Sequence, residues 1–253
     1  MTSRDYLTTA QIAKGAGVHP NTVRLYEELG FLPIIPRTPA GYRKFTPLHL
    51  SQMKLARTAL SGPFPGSRIR ASAADLVRRS AAGDLGGALE HAYRHLALVQ
   101  AELAHAETAA ALLQRWADGK AADATQRHLH IKEAAALLQV TPDALRSWER
   151  NGLIQVPRDP RNRYRTYTST EIGQLRVIRM LRTAGYSSMA ILRMTLHMKG
   201  GGRGDLRQVL DTPRPDEDIY SAADQWLSTL AEQRERAWQV ITQLEEMIRL
   251  VAG

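Results

Sequence analysis

Two stretches of the chain place arginine beside aromatic residues at a similar spacing. Arginine can form paired hydrogen bonds with phosphate oxygens or with a guanine edge. Arginine groups gathered on short segments are typical of nucleic-acid binding. The first stretch holds Asn21, Thr22, Arg24, Tyr26, Arg37, Tyr42, Arg43 and Lys44. The second holds Asp143, Arg146, Trp148, Arg161, Arg163, Tyr164 and Arg165.

The composition favours an anionic partner and excludes several other classes of protein. The formal net charge of the 253 residues is +9, which suits nucleic acid or an acidic membrane surface. No stretch approaches the ~18 apolar residues of a membrane span, and the basic residues sit in short segments rather than along one amphipathic helix. There is no cysteine, so thiolate metal sites and thiol redox sensing are excluded. Without a phosphate-binding glycine loop or a catalytic triad, we expect neither an enzyme nor a cofactor.

The two stretches belong to an internal repeat. When the sequence is shifted by 122 residues, two segments align without a gap. Identical pairs include Leu7 with Leu129, Pro20 with Pro142, Arg24 with Arg146, Glu27 with Glu149, Gly30 with Gly152, Tyr42 with Tyr164 and Arg43 with Arg165. The agreement falls at turn, helix-core and Tyr-Arg positions, which predicts a duplicated domain.

Each repeat begins with the pattern of a helix-turn-helix. Thr8 and Thr9 can cap a short helix that runs through Ala16, and glycines mark the turn after it. A second helix is predicted to start at Pro20 and to stop at Gly30. In the second repeat, Thr141 is the expected N-cap, Pro142 the first helical residue and Gly152 the stop. Two short helices joined by a tight turn are typical of DNA-binding modules.

A β-hairpin wing is predicted after each helix-turn-helix. In the first repeat, Leu32–Ile35 and Tyr42–Phe45 are the expected strands, with a turn over Thr38–Gly41. The second repeat has Arg163 where the first has Gly41, which is expected to alter the turn while adding a charge. Two further helices are predicted in each repeat, at Pro47–Leu60, Ser67–Arg79, Ser169–Ala184 and Ser188–His197.

Heptad patterns predict one long helix after each module. Residues 86–117 and 217–251 both carry apolar residues seven apart. The predicted domains are therefore 1–82 and 121–204, each a winged helix-turn-helix. They are followed by 83–120, the first long coiled-coil helix, and by 205–253, a linker and the second long coiled-coil helix. Residues 199–204, rich in glycine, are expected to form a hinge before the second long helix. The fold class is mainly α. The two long helices are predicted to pair antiparallel within one chain, as an intramolecular pseudo-dimer; pairing between chains, as a homodimer, is the alternative.

The repeated motifs resemble those of the MerR family of bacterial transcription regulators. The runs GVHPNTVRLYEELGFLP and VTPDALRSWERNGLIQVP resemble its recognition helix, and GYRKFT and RYRTYT resemble its wing. The resemblance implies a regulator of the bacterial cytoplasm and nucleoid that binds promoter DNA, distorts it and acts on RNA polymerase. A DNA-architectural or excisionase-like protein that bends DNA is the alternative, and one module could also have become a protein-interaction surface.

The predicted contacts follow from the way a winged helix-turn-helix docks on DNA. Asn21, Thr22 and Arg24, with Asp143 and Arg146, are expected on the groove faces, and Tyr26 and Trp148 near phosphates. The alternative for each arginine is a pair with the following acidic residue on a solvated face, and for the two aromatic residues a place in the core. The wing residues are expected along the DNA backbone, unless they are ordinary surface charges. Because the two recognition helices differ, we predict a pseudo-palindromic or asymmetric operator.

Two further sites are weaker candidates. His91 and His95 lie one turn apart on the first long helix and could share a zinc ion, but no third ligand is evident. A small-molecule effector would have to bind between the modules and long helices, and no motif supports it. We therefore predict no metal site, and a small-molecule effector stays an open alternative without support from a motif.

Overall fold

The computed structural model describes residues 6–117, 128–202, 204–213 and 222–252. These residues are mainly helical, and their only β pairings are four isolated bridges. The chain divides into two compact units. The first comprises Met1–Ala101 with Leu230–Gly253, and the second comprises Glu102–Thr229. Two helix-turn-helix modules and two long helices are present, as the sequence predicts.

The first unit begins with four short helices. They are α1 (Thr9–Ala16), α2 (Pro20–Glu28), α3 (Pro47–Leu60) and α4 (Ser67–Ala81). Thr8 caps α1 in a reciprocal capping box with Gln11, as the sequence predicts. His19 caps α2 through its Nδ1, which accepts from the Asn21 N–H at 3.2 Å. Proline begins α2 and α3, where its missing N–H costs nothing.

A small apolar core fixes the angle between the helices of the first module. This core contains Ile12 of α1, Val23 of α2 and Met53 of α3. Phe45 of the wing is fully buried among them. Burying a phenylalanine side chain contributes about 1.5–3 kcal/mol. Leu7 and Phe45 exchange backbone hydrogen bonds, which tie the wing to the chain before α1.

Parts of both long helices belong to the core of the first unit. The long helices are α5 (Leu85–Ala117) and α11 (Trp226–Ala252). Ala88, Ala92 and Leu96 of α5 and Val240 and Leu244 of α11 lie in one buried cluster with residues of α3 and α4. The beginning of one long helix therefore packs with the end of the other inside a single chain.

The second long helix differs from its predicted extent. It begins at Trp226, after a 3₁₀ turn at Ala222–Gln225, whereas the heptads predict a start at residue 217. Residues 217–221 lie outside the described part of the chain. Val251, a predicted seam residue, is 61% exposed, because the helix reaches its last turn there.

The second unit repeats the module and adds one unpredicted helix. It contains α6 (Ile131–Leu137), α7 (Pro142–Arg150), α8 (Ser169–Thr183), α9 (Ser188–Lys199) and α10 (Leu206–Asp211). The expected hinge at residues 199–204 therefore does not lead directly into the long helix. Helix α10 forms there because Asp205 caps it and because Leu206 and Leu210 are buried. Arg193 of α9 also donates to the carbonyls of Val209 and Leu210.

Candidate nucleic-acid interface

The second helix of the first module presents a polar face near its N-terminus. Val23 is buried, while Asn21 and Arg24 are exposed one turn apart. The Arg24 Nη1 donates to Asn21 Oδ1 at 3.3 Å, so the two predicted groove residues form one unit. Thr22 lies at the edge of this face and is half-buried.

The second module builds the same unit from a different pair. Leu145 is buried, and Arg146 donates to Asp143 Oδ1 at 2.5 Å. The guanidinium therefore faces a carboxylate here and an amide in the first module; this carboxylate precedes the arginine, whereas the pairing alternative expects the following acidic residue. The partner lies three residues before the arginine because residues i and i+3 share a helix face.

Tyr26 occupies a more internal place than a phosphate-contacting residue needs. Its ring lies edge-on to Phe31, with the ring centroids 5.6 Å apart, and it contacts both apolar clusters of the first unit. Burial raises the pKa of Tyr26. Trp148 is likewise half-buried. These positions favour the packing interpretation of both aromatic residues.

Both wings are hairpins, but their strands are placed differently from the prediction. The first wing pairs Arg37 with Arg43, and the Lys44 N–H donates to the Pro36 carbonyl at 2.8 Å. Leu32 and Ile35 lie in the core instead of in the hairpin. Because the side chains of Leu32 and Ile35 are buried, this part of the chain follows the core, and the hairpin begins at Pro36.

The second wing has a longer loop. It pairs Arg158 with Arg165, and the Thr166 N–H donates to the Pro157 carbonyl. The gapless alignment therefore fails locally: the first arm of this hairpin shifts by one residue relative to its counterpart. Arg158 replaces Arg37 in a repeated contact, since each donates to the carbonyl before the wing tyrosine, at Gly41 or Arg163.

Arg163 takes the left-handed backbone conformation of Gly41, but the turn that contains it is one residue longer, as the prediction of an altered turn expects. The φ of Arg163 is 62°, beside 83° for Gly41 at the equivalent place before the tyrosine. A side chain in this left-handed region costs about 1 kcal/mol or more compared with glycine. The backbone of Arg163 therefore adopts a conformation that glycine would adopt without strain, and its side chain is exposed.

A glutamate joins each wing to its recognition helix. Glu27 Oε2 accepts from Arg43 Nε at 2.7 Å, and its Oε1 accepts from the Ile35 N–H at 3.1 Å. The counterpart is Glu149, which accepts from Arg165 Nε at 2.5 Å. We call these two pairs the wing clamps. Both clamp arginines are mostly buried, so they position the wings in addition to carrying charge.

The tips of the wings are well exposed. Tyr42 is 74% exposed and Tyr164 is 66% exposed. Arg37 and Arg161 are exposed as well. Lys44 is half-buried, with its ammonium group 5.2 Å from the centre of the Tyr6 ring.

The sequence comparison within the chain gave no role to a third repeated arginine. Arg57 of α3 donates to the Ala16 and Gly17 carbonyls at the turn of the first module. Arg179, 122 residues later, donates to the Gln139 side chain at the equivalent turn. Both turns contain a left-handed residue, Gly17 or Gln139. The repeat offset was the signal that could have found this contact.

Other sites that the sequence raised have little support in the described residues. The described residues contain no group of three side chains that could hold a metal ion. His95 is 4% exposed, and burial, with a smaller contribution from His91, lowers its pKa to about 4. None of the described helices has the length and apolarity to cross a membrane.

Comparison with known proteins gives the same two modules. Residues 8–45 match the MerR family regulatory protein, and residues 129–197 match the MerR HTH family regulatory protein. The HTH-type transcriptional regulator CueR of Escherichia coli O157:H7 is 27% identical over 107 residues, which cover 40% of this chain and 79% of that protein. The same-named regulator of Escherichia coli O6:H1 is 32% identical over 59 residues, which cover 23% of this chain and 44% of that protein. No solved structure matches the chain.

The matched segments contain both recognition helices and both wings, and the second match continues into α9. Proteins of this family are DNA-binding regulators and not enzymes. Two separate segments of the chain match MerR-family models, which supports a regulator of the MerR type with two such modules.

Proposed function

We propose that this regulator binds a double-stranded promoter site with both modules at once and distorts the DNA between two unlike half-sites. The observation that carries the proposal is that the two modules share the same structure but expose different residues on the second helix. Both modules keep the recognition helix, the arginine at its exposed face and the wing clamp. The residue that faces the arginine is Asn21 in one module and Asp143 in the other.

In this proposal each recognition helix enters the major groove while its wing follows the flanking backbone. Arg24 and Arg146 would contact a guanine edge or a phosphate. Tyr42, Tyr164 and the exposed wing arginines would contact the backbone. Arg163 supports this role, because a charged residue occupies a strained position that glycine would fill more easily.

The test is a selection of bound sequences from a random duplex pool, followed by gel-shift titration at several salt concentrations. We expect one enriched site with two different halves and a steep loss of affinity with salt, because bound phosphates release counterions. A perfect inverted repeat with equal affinity for both halves would contradict the proposal. So would failure to bind duplex DNA at low salt.

Distortion and contact with RNA polymerase need separate measurements. A bend or untwisting between the half-sites would appear as altered mobility of circularly permuted fragments. In vitro transcription at saturating protein then separates a regulator from an architectural protein. An unchanged transcript level would favour the DNA-bending alternative.

We also propose that one chain is the working unit, in the bacterial cytoplasm. The buried cluster that joins α5 and α11 of the same chain supports this, because those apolar residues already have partners. Light scattering should give the mass of a monomer across a dilution series. A dimer at every concentration would favour pairing between chains.

A further inference from the structure

The exposed faces of the two recognition helices differ in hydrogen-bonding chemistry at matching positions. Near the start of α2, Asn21 presents an amide, and one turn later Leu25 is 48% exposed. The matching positions of α7 carry Asp143, whose side chain is 87% exposed, and Ser147, which is half-buried. The first face therefore offers a donor, an acceptor and methyl groups, whereas the second offers acceptors and a hydroxyl.

These groups match different bases in the major groove. An asparagine amide can donate to N7 and accept from the N6 amino group of adenine. A carboxylate only accepts, and it fits the N4 amino group of cytosine. The methyl groups of Leu25 suit the methyl group of thymine, while a serine hydroxyl suits several bases.

The neighbouring arginine positions each reading group without using all of its capacity. Arg24 donates to Asn21 Oδ1, whose second lone pair and amide protons stay available. Arg146 donates to Asp143 Oδ1, which leaves Oδ2 available to accept. Each contact favours one orientation of the reading side chain before DNA arrives, which lowers part of the entropy cost of reading a base.

We propose that Asn21 and Asp143 are the residues that make the two half-sites unlike. Asn21 selects an adenine in the half-site of the first module, and Asp143 selects a cytosine in the half-site of the second. This inference rests on the proposed function, because it needs both helices in major grooves.

The experiment starts from the operator obtained by selection and varies the base at each contacted position. Gel-shift titrations at one salt concentration compare the wild-type chain, Asn21→Asp, Asp143→Asn and the double exchange. For the wild-type chain, changing the cytosine to adenine in the second half-site should weaken binding about 5- to 100-fold. Asp143→Asn should reverse that preference in the second half-site alone. The double exchange should prefer an operator with the two bases exchanged.

Asp75→Asn is the matched control. Asp75 forms the same kind of pair with Arg78, three residues later, on an exposed face of α4. Its substitution removes one negative charge, as Asp143→Asn does, and should leave the base preference at both half-sites unchanged. If both variants gain affinity equally for every base, that gain measures only the effect of removing one negative charge.

The outcomes separate the inference from the proposed function. If Asp143→Asn changes affinity equally for every base, Asp143 acts only through its charge and the inference is wrong. If wild-type protein prefers the same base at both positions, it is also wrong, although two-module binding stands. If the chain binds no duplex at low salt, the proposed function fails and the inference fails with it.

Discussion

The wing clamp of the first module should stabilise both the fold and the DNA-binding surface. Glu27→Ala removes a carboxylate that accepts two hydrogen bonds, from Arg43 and from the Ile35 N–H. Bonds to a charged group contribute about 1.5–3 kcal/mol each. The side chains of Glu27 and Arg43 are 13% and 19% exposed, so water can compensate for part of the loss. We expect the free energy of unfolding to fall by about 2–3 kcal/mol.

A double-mutant cycle isolates the pair from other effects of the substitutions. Arg43→Ala should cost less, about 1–2 kcal/mol, because Glu27 keeps its bond to the Ile35 N–H. The double variant should then reveal a coupling energy of about 1 kcal/mol.

Urea unfolding gives the free energies of this cycle. Hydrogen exchange at the Lys44 N–H, which donates to the Pro36 carbonyl inside the wing, gives the local effect. Both single variants should speed exchange there and weaken DNA binding. If the free-energy losses of the two single variants add up to that of the double variant within about 0.3 kcal/mol, Glu27 and Arg43 do not stabilise the fold as a pair.

Three further predictions concern the interface and the cores. Arg24→Ala should weaken duplex binding by about 1–3 kcal/mol if the side chain contacts a base, and an unchanged Kd would remove it from the interface. Gly185→Ala should lower the free energy of unfolding by about 2 kcal/mol or more, because Gly185 has a φ of 98° and an added Cβ would overlap the Trp226 ring; an unchanged urea midpoint would contradict this. His95 should make the fold acid-sensitive, because burial lowers its pKa to about 4. The contribution of neutral His95 to the free energy of unfolding is complete above pH 6.5, and it falls by about 3 kcal/mol as the pH drops toward 4. In unfolding measured across this pH range, His95→Gln should make the free energy of unfolding depend less on pH.

The short helices of both modules could be predicted closely from the sequence. Pro47–Leu60 is α3 as predicted, and α4 begins at Ser67 as predicted. Prolines, capping residues and glycines are local signals, and helix ends depend mostly on such local chemistry. Arg24 and Arg146 could be singled out for a similar reason, because the repeat marks positions that both modules keep.

The wings and α10 could not be placed from local patterns alone. Leu32 and Ile35 are apolar and β-prone, yet they are buried in the core rather than paired in a hairpin. Helix α10 is only six residues long, and it is stabilised by burial of Leu206 and Leu210 and by contacts from Arg193 of α9. Such short segments take their structure from the partners that tertiary packing provides.

Spacing and local propensity were enough to predict the duplication, the two helix-turn-helix modules and the heptads of the long helices, and the motifs carried the resemblance to the MerR family. Only the tertiary structure decided which arginines are committed to internal contacts. Arg43 and Arg165 bind Glu27 and Glu149, sixteen residues away in each case. An arginine presents the same charge in any sequence pattern, and only the folded chain brings a carboxylate within hydrogen-bonding distance of it.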